Sequence, residues 1–258
     1  MVARLLMKGS VGDDVKRLQE NLNIALKPSP GLATDGIFGQ QTYMAVRFFQ
    51  DEFWLVVDGI AGPCTQNALY GTEAYDPIHH DIPMMAQPTQ TTCWATSTAM
   101  IKNSNVPTII ANTPPDLILA DGSLANESQT DNPDRSGVPY ARAHHLWYHG
   151  PMSWRLPYFQ AQLMKGPLML DMLWDAKGYT TPDASIPGQW VGSSGHMIVV
   201  VGMRGDGDES GKGTSLYIHD PWPPNVGDAY AVNYYKWINE VTTRTYRVFQ
   251  ALRSPMSF

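Results

Sequence analysis

Cys93 is the residue of this chain best placed to do covalent chemistry. It stands in "MAQPTQTTCWATSTAMI" (85–101), directly before a run with helical character, and the chain has only one other cysteine, Cys64. A cysteine attacks as the thiolate, whereas a free thiol near neutral pH is mostly protonated. Thr91 and Thr92 are good N-cap residues, so the spacing puts the sulfur at the positive end of a helix, where an anion is favoured. A nearby imidazole would complete an ion pair, and a third polar group would orient that imidazole.

Of the seven histidines, His196 has the most suggestive setting. It follows "GSSG" and opens the apolar, β-branched run "GHMIVVVGM" (195–203). Asp220 closes the next alternating run, "TSLYIHD" (214–220), immediately before Pro221. If the two runs pair through "RGDGDESGKG", they form an antiparallel hairpin with His196 opposite Asp220. A shift of register would put His219 there instead. Other readings stay open at this point. Cys93 also fits a buried structural thiol or half of a disulfide with Cys64, His196 an ordinary core or turn histidine, and Asp220 a turn residue before proline.

No metal or other cofactor is expected. His79, His80 and Asp81 lie in a polar stretch and read as solvated, with no further ligand set nearby in sequence. "HHLWYH" (144–149) reads as packed aromatic sequence. "DGDESG" (206–211) begins like a calcium loop, but Tyr217 stands where the twelfth-position carboxylate belongs, so a plain turn is expected.

The elements that must position Cys93 belong to a chain of 258 residues with 43% hydrophobic and 16% charged residues. That is enough apolar sequence for one large domain or two modest ones. The net charge of −6 argues against nucleic acid as a partner and against retention on an anionic surface by charge alone. Two cysteines make neither a disulfide framework nor, alone, a structural zinc site. The longest apolar runs are too short to span a bilayer, and the N-terminus lacks an apolar stretch of signal-peptide length. The oligomeric state is left open.

Two halves differ in pattern. Residues 1–72 read as a small helical domain: 12–26 with Val15, Leu18, Leu22 and Leu26 on one face, 40–53 with Ala45, Phe48, Phe49 and Phe53, and 63–71 between Pro63 and Gly71. "DGIFG" (35–39) and "DGIAG" (58–62) are echoes in which a glycine permits a tight turn, Ile37 or Ile60 is expected to plug inward, and a second glycine opens the next helix. Residues 73–84 read as a linker. Residues 85–258 mix helices and clustered strands, so the whole is expected to be α+β, with an antiparallel sheet in the second domain.

Two resemblances follow from these motifs. "LLMKGSVGDDVKRLQENLN", "ATDGIFGQQTYMAVRFFQ" and "VDGIAGPCTQNAL" resemble the three-helix peptidoglycan-binding domain found beside cell-wall hydrolases. Gln87 six residues before Cys93-Trp94, "GHMIVVVG" around His196 and "DPW" at 220–222 resemble the papain-like cysteine peptidases. The likeness is to compact bacterial branches, the plant-pathogen effector proteases and the bacteriocin-leader peptidases, in which Asp-Pro stands where papain has Asn. The resemblance implies an oxyanion hole from Gln87 and the Cys93 amide, His196 as general base and acid, and Asp220 as its orienter. Trp94, Gly195, Trp222 and Trp190 are the candidate substrate-cleft residues, with packing around the catalytic layer an equal alternative for the three tryptophans.

The two resemblances together imply a cell-wall-directed thiol hydrolase, extracellular or wall-associated, cutting peptidoglycan stem or cross-bridge peptides. A secreted or effector protease acting on proteins is the second expectation. An inactive wall-binding protein is the third.

Overall fold

The structure is a computed structural model and describes residues 4–125, 138–152, 154–174, 194–237 and 242–251. The fold is α+β, with a helical N-terminal part and an antiparallel sheet in the C-terminal part. The chain forms two compact units. One holds the N-terminal stretch to Pro77 with Met203–Tyr217 and Ala231–Tyr235; the other holds Ile78–Gly202, Ile218–Tyr230 and the C-terminal stretch from Lys236.

The first unit is built on helices α1 (Asp13–Ala25), α2 (Gln40–Glu52) and α3 (Pro63–Tyr70). Val15, Leu18, Leu22 and Leu26 are buried together with Ala45, Val46, Phe49, Leu55 and Leu69. Asp13 and Asp14 lie in the first turn of α1, where the helix dipole favours negative charge. Pro63 opens α3, and Gly71 ends it in the left-handed conformation that glycine adopts without penalty.

Three sequence expectations fail here. Phe48 is 47% exposed, and Val46 takes its place in the core. Ile37 is 52% exposed and Ile60 only partly buried, while the following residues, Phe38 and Ala61, are buried. The reason is a buried glutamine that occupies the inside of each turn. Gln19 Nε2 donates to Asp35, the Ile37 carbonyl and Thr42, while its Oε1 accepts from the Gly36 amide. Gln50 repeats this with Asp58, the Ile60 carbonyl, Thr65 and the Gly59 amide. Each glutamine thus satisfies backbone groups that would otherwise be buried unpaired, and each isoleucine is turned outward.

The stretch read as a linker is tied down where it begins. Glu73 makes a two-pronged ion pair with the buried Arg204 at 2.7 and 2.8 Å, and Arg204 also donates to the Phe53 carbonyl. The Ala74 amide bonds to the Gly205 carbonyl.

The second unit contains α4 (Cys93–Lys102), α5 (Val106–Asn112), a 3₁₀ turn at Pro115–Leu117, α6 (Val138–Ala143) and α7 (Leu156–Leu163). The strands of the chain are β1 (Ile78–His79), β2 (Trp147–Met152), β3 (Leu168–Trp174), β4 (Ser194–Gly205), β5 (Thr214–Asp220), β6 (Asp228–Asn233) and β7 (Thr242–Gln250), of which 203–205, 214–217 and 231–233 belong to the first unit. They form one sheet in the order β2-β7-β3-β4-β5-β6, with β1 paired to β4. The β3–β4 register sets Leu168 opposite Val200 and Met172 opposite His196. Met197 to Val201 on β4 are essentially inaccessible, as expected for a central strand.

Helix α4 is buried from Cys93 to Ile101, so it is a central helix without a wet face. Its polar side chains are all spoken for: Thr96 donates to the Thr92 carbonyl, Ser97 to the Met197 carbonyl, and Thr98 shares a 2.6 Å hydrogen bond with the Tyr140 hydroxyl. Ser97 thereby clips the helix to the residue after His196. His144 bonds Thr113 and leans on Tyr140, and His149 meets Trp154 edge-on, whereas His145 and Trp147 of "HHLWYH" are exposed. In 206–211 the Asp206 and Asp208 carboxylates accept the Asp208 and Ser210 amides, which makes this a turn held by its own side chains.

Candidate active site

Cys93 is the first residue of α4 and is 8% exposed. Thr92 occupies the N-cap position, but its hydroxyl does not cap the helix; it meets the Thr89 amide at 3.2 Å instead. The first amides of α4 are therefore not consumed by a side-chain cap. They remain partial positive charges beside the sulfur and beside any oxyanion formed there. Both cysteines are free thiols, so the disulfide reading is excluded.

His196 and Asp220 form a buried pair. His196 Nε2 lies 2.8 Å from Asp220 Oδ1, with both side chains about 5% exposed or less. Cys93 lies near enough to act on the same ring, and its sulfur favours the protonated imidazole. Burial works against a charged ring. The Asp220 carboxylate and the Cys93 sulfur outweigh it and raise the His196 pKa to about 10. His219 is buried as well, and burial, with His79 nearby, lowers its pKa to about 4; the carboxylate that meets His196 is that of Asp220. The hairpin register is thus the one that presents Asp220.

A raised pKa has a signed consequence for stability. The folded protein holds the His196 proton more tightly than the unfolded chain, whose histidine titrates near 6.5. The stabilisation is complete below that value and is lost as pH rises through about 10. Denaturant melts at several pH values are expected to show wild type losing its advantage over His196→Gln across this window.

Asp220 is held from three sides. Oδ1 accepts from His196 and, at 2.9 Å, from the Trp222 amide; Oδ2 accepts from the Tyr230 hydroxyl at 3.0 Å. Sequence reasoning missed Tyr230. A tyrosine in an alternating strand reads as a packing residue, and only the return of β6 beside β5 brings it to Asp220.

Gln87 is fully buried and tied by its backbone to the segment after Asp220. Its amide donates to the Pro221 carbonyl and its carbonyl accepts from Asn225. Its Nε2 donates to the Thr89 carbonyl at 2.6 Å. Among the described residues its Oε1 has no hydrogen-bond partner. Exchanging the amide oxygen and nitrogen would set two oxygens face to face, so the orientation stands and a second Nε2 hydrogen remains.

The expected cleft residues divide. Gly195 is exposed, with Asp171 Oδ1 3.8 Å from where a β-carbon would stand. Trp222 is half-buried. Trp94 is a correction: it is 2% exposed, donates to the Gly122 carbonyl and packs edge-on against Tyr140, so it belongs to the core. Trp190 lies outside the described residues. Among the described residues no cluster of three or more His, Cys, Asp or Glu could hold a metal ion.

Comparison with known proteins bears on this geometry. The family model described as papain-like cysteine protease AvrRpt2 matches residues 77–237, more than half of the chain and the whole of the Cys93, His196 and Asp220 region. The chain belongs to this family. Ahead of it, residues 11–69 match the peptidoglycan binding domain model. The zinc D-Ala-D-Ala carboxypeptidase of Streptomyces albus G is 46% identical over 25% of this chain and 26% of its own length. A spore cortex-lytic enzyme of Bacillus cereus is 40% identical over 28% of this chain and 27% of its own length. The crystal structure of the SleB N-terminal domain is 38% identical over 26% of this chain and 90% of that one, with a TM-score of 0.25. The chain thus spans about a quarter of the length of these curated relatives. The family is a cysteine-protease family, whereas the carboxypeptidase relative is a zinc enzyme; that likeness covers only about a quarter of either chain.

Proposed function

We propose that this chain is a cell-wall-directed cysteine hydrolase that cleaves peptide or amide bonds through Cys93, His196 and Asp220. The observation that supports the reading is the buried His196–Asp220 pair at 2.8 Å, on whose ring Cys93 acts from the N-terminus of a buried helix. Residues 1–72 serve as the wall-binding module, 73–84 as the connection and 85–258 as the hydrolase. Binding to an insoluble polymer raises the local concentration of its peptides, which makes stem or cross-bridge peptides the natural substrate. Such a protein works outside the cell or on the wall.

The chemistry follows from the residues. The proton shared by Cys93 and His196 rests on Nδ1, as an imidazolium stabilised by Asp220 through Nε2. The thiolate attacks the carbonyl carbon, and the resulting oxyanion is met by the Cys93 amide and the free Nε2 hydrogen of Gln87. Collapse breaks the C–N bond while Nδ1 gives its proton to the leaving amine. Water, deprotonated by the same nitrogen, then releases the acid and expels the sulfur as thiolate, restoring the starting pair.

The test is incubation with purified sacculi and, separately, casein, for wild type and Cys93→Ala. Muropeptides released by wild type and not by the variant are the expected result. Casein cleavage without muropeptides would instead favour the second reading, a protease of protein substrates, which the protease family supports. Binding to sacculi with no turnover of either substrate would leave only the wall-binding module.

A further inference from the structure

We propose that Tyr230 is a positioning residue of the catalytic pair, fixing the Asp220 carboxylate so that His196 is held toward Cys93. This rests on reading Cys93 as the nucleophile. A carboxylate buried to 4% exposure has little recourse to water, so protein donors decide its orientation. The Trp222 amide and His196 Nε2 both address Oδ1. Neither stops the group from rotating about its own bond and offering Oδ2 to the imidazole. The Tyr230 hydroxyl, 3.0 Å from Oδ2, removes that freedom.

The fold delivers Tyr230 by a specific route. After Asp220 the chain turns back, with the Val226 and Gly227 amides both bonding the Pro223 carbonyl. The turn is anchored by the Asn225 amide on the Gln87 carbonyl. β6 then starts at Asp228, next to β5, and its third residue reaches Asp220. One turn therefore serves both Gln87 and Asp220. A phenol is also the right donor chemically. It carries no positive charge to compete with the imidazolium, and as a neutral donor it keeps the negative charge on the carboxylate. The pair then stays imidazolium–carboxylate, the state that a thiolate partner requires.

The test uses the full chain and the rate of iodoacetamide alkylation at Cys93, read by mass spectrometry. Four proteins are compared: wild type, Tyr230→Phe, Asp220→Ala and the double variant. Tyr230→Phe is expected to slow alkylation about tenfold, the scale of one hydrogen bond to a charged group. In the Asp220→Ala background the same change is expected to matter by less than about twofold, because the group through which the hydroxyl acts is gone. Equal slowing in both backgrounds would overturn the proposal, as would an unslowed Tyr230→Phe. Tyr230→Trp, which also lacks the hydroxyl but keeps aromatic bulk, supplies the comparison should the phenylalanine variant melt early. If wild-type Cys93 reacts no faster than Cys64, the nucleophile reading itself fails. If it reacts fast and Tyr230→Phe is silent, only this proposal fails.

Discussion

His196→Ala is expected to remove turnover almost completely, by roughly 10⁴-fold or more in kcat/KM. In the proposed mechanism the ring would perform two proton transfers and would supply positive charge opposite the sulfur. With the ring gone, a sulfur at 8% exposure would lose the base proposed to serve it. Asp220→Ala is expected to be milder, roughly 10²- to 10³-fold, because the imidazole remains and only its orientation and charge stabilisation are lost. Muropeptide release from sacculi checks both. A His196→Ala enzyme with near-wild-type turnover would remove the imidazole from the mechanism.

The second large effect is on stability. Glu73→Ala should destabilise the protein by about 3–5 kcal/mol, measured by guanidinium unfolding, because it leaves a buried guanidinium without its carboxylate. The side chains of Arg204 and Glu73 are 8% and 12% exposed, and the two-pronged geometry satisfies both carboxylate oxygens. Removing one partner costs far more than removing both, since the penalty comes from the stranded charge. Glu73→Ala combined with Arg204→Met is therefore expected to recover part of the loss. A single variant as stable as wild type would mean that the guanidinium finds water.

How much of this was legible in the sequence depends on whether the determinants were local. Helices α1 to α3 could be read because apolar spacing, Pro63 and the turn glycines are local signals. The Cys93 helix and the β4–β5 hairpin were legible for the same reason, and strand pairing then carried His196 to Asp220. Failures came where a residue's partner is distant in sequence. Ile37 and Ile60 look like core plugs until Gln19 and Gln50 are seen to fill the inside of their turns. Glu73 and His80 sit in a polar stretch that composition marks as solvated. Yet Glu73 pairs with Arg204, and the His80 ring meets the Leu163 carbonyl at 2.6 Å. Trp94 looked like a cleft wall from its position beside Cys93, but the next residue of a fully buried helix points into the core. Tyr230 could not be found without the sheet order.

The central claim is that Cys93 is an activated thiolate, and the two cysteines of the chain provide an internal comparison. Cys64 is held unreactive by burial and by the Asp206 carboxylate, which push its pKa up to about 12. Cys93 opens a helix whose N-terminus has no side-chain cap, and it acts on the His196 ring, whose pKa is raised. Limited iodoacetamide treatment of the folded protein near neutral pH, followed by peptide mass spectrometry, reports both sites in one sample. Cys93 is expected to be alkylated at least about a hundredfold faster than Cys64, and to lose most of that advantage in His196→Ala. Comparable slow labelling of the two thiols in wild type would contradict the account.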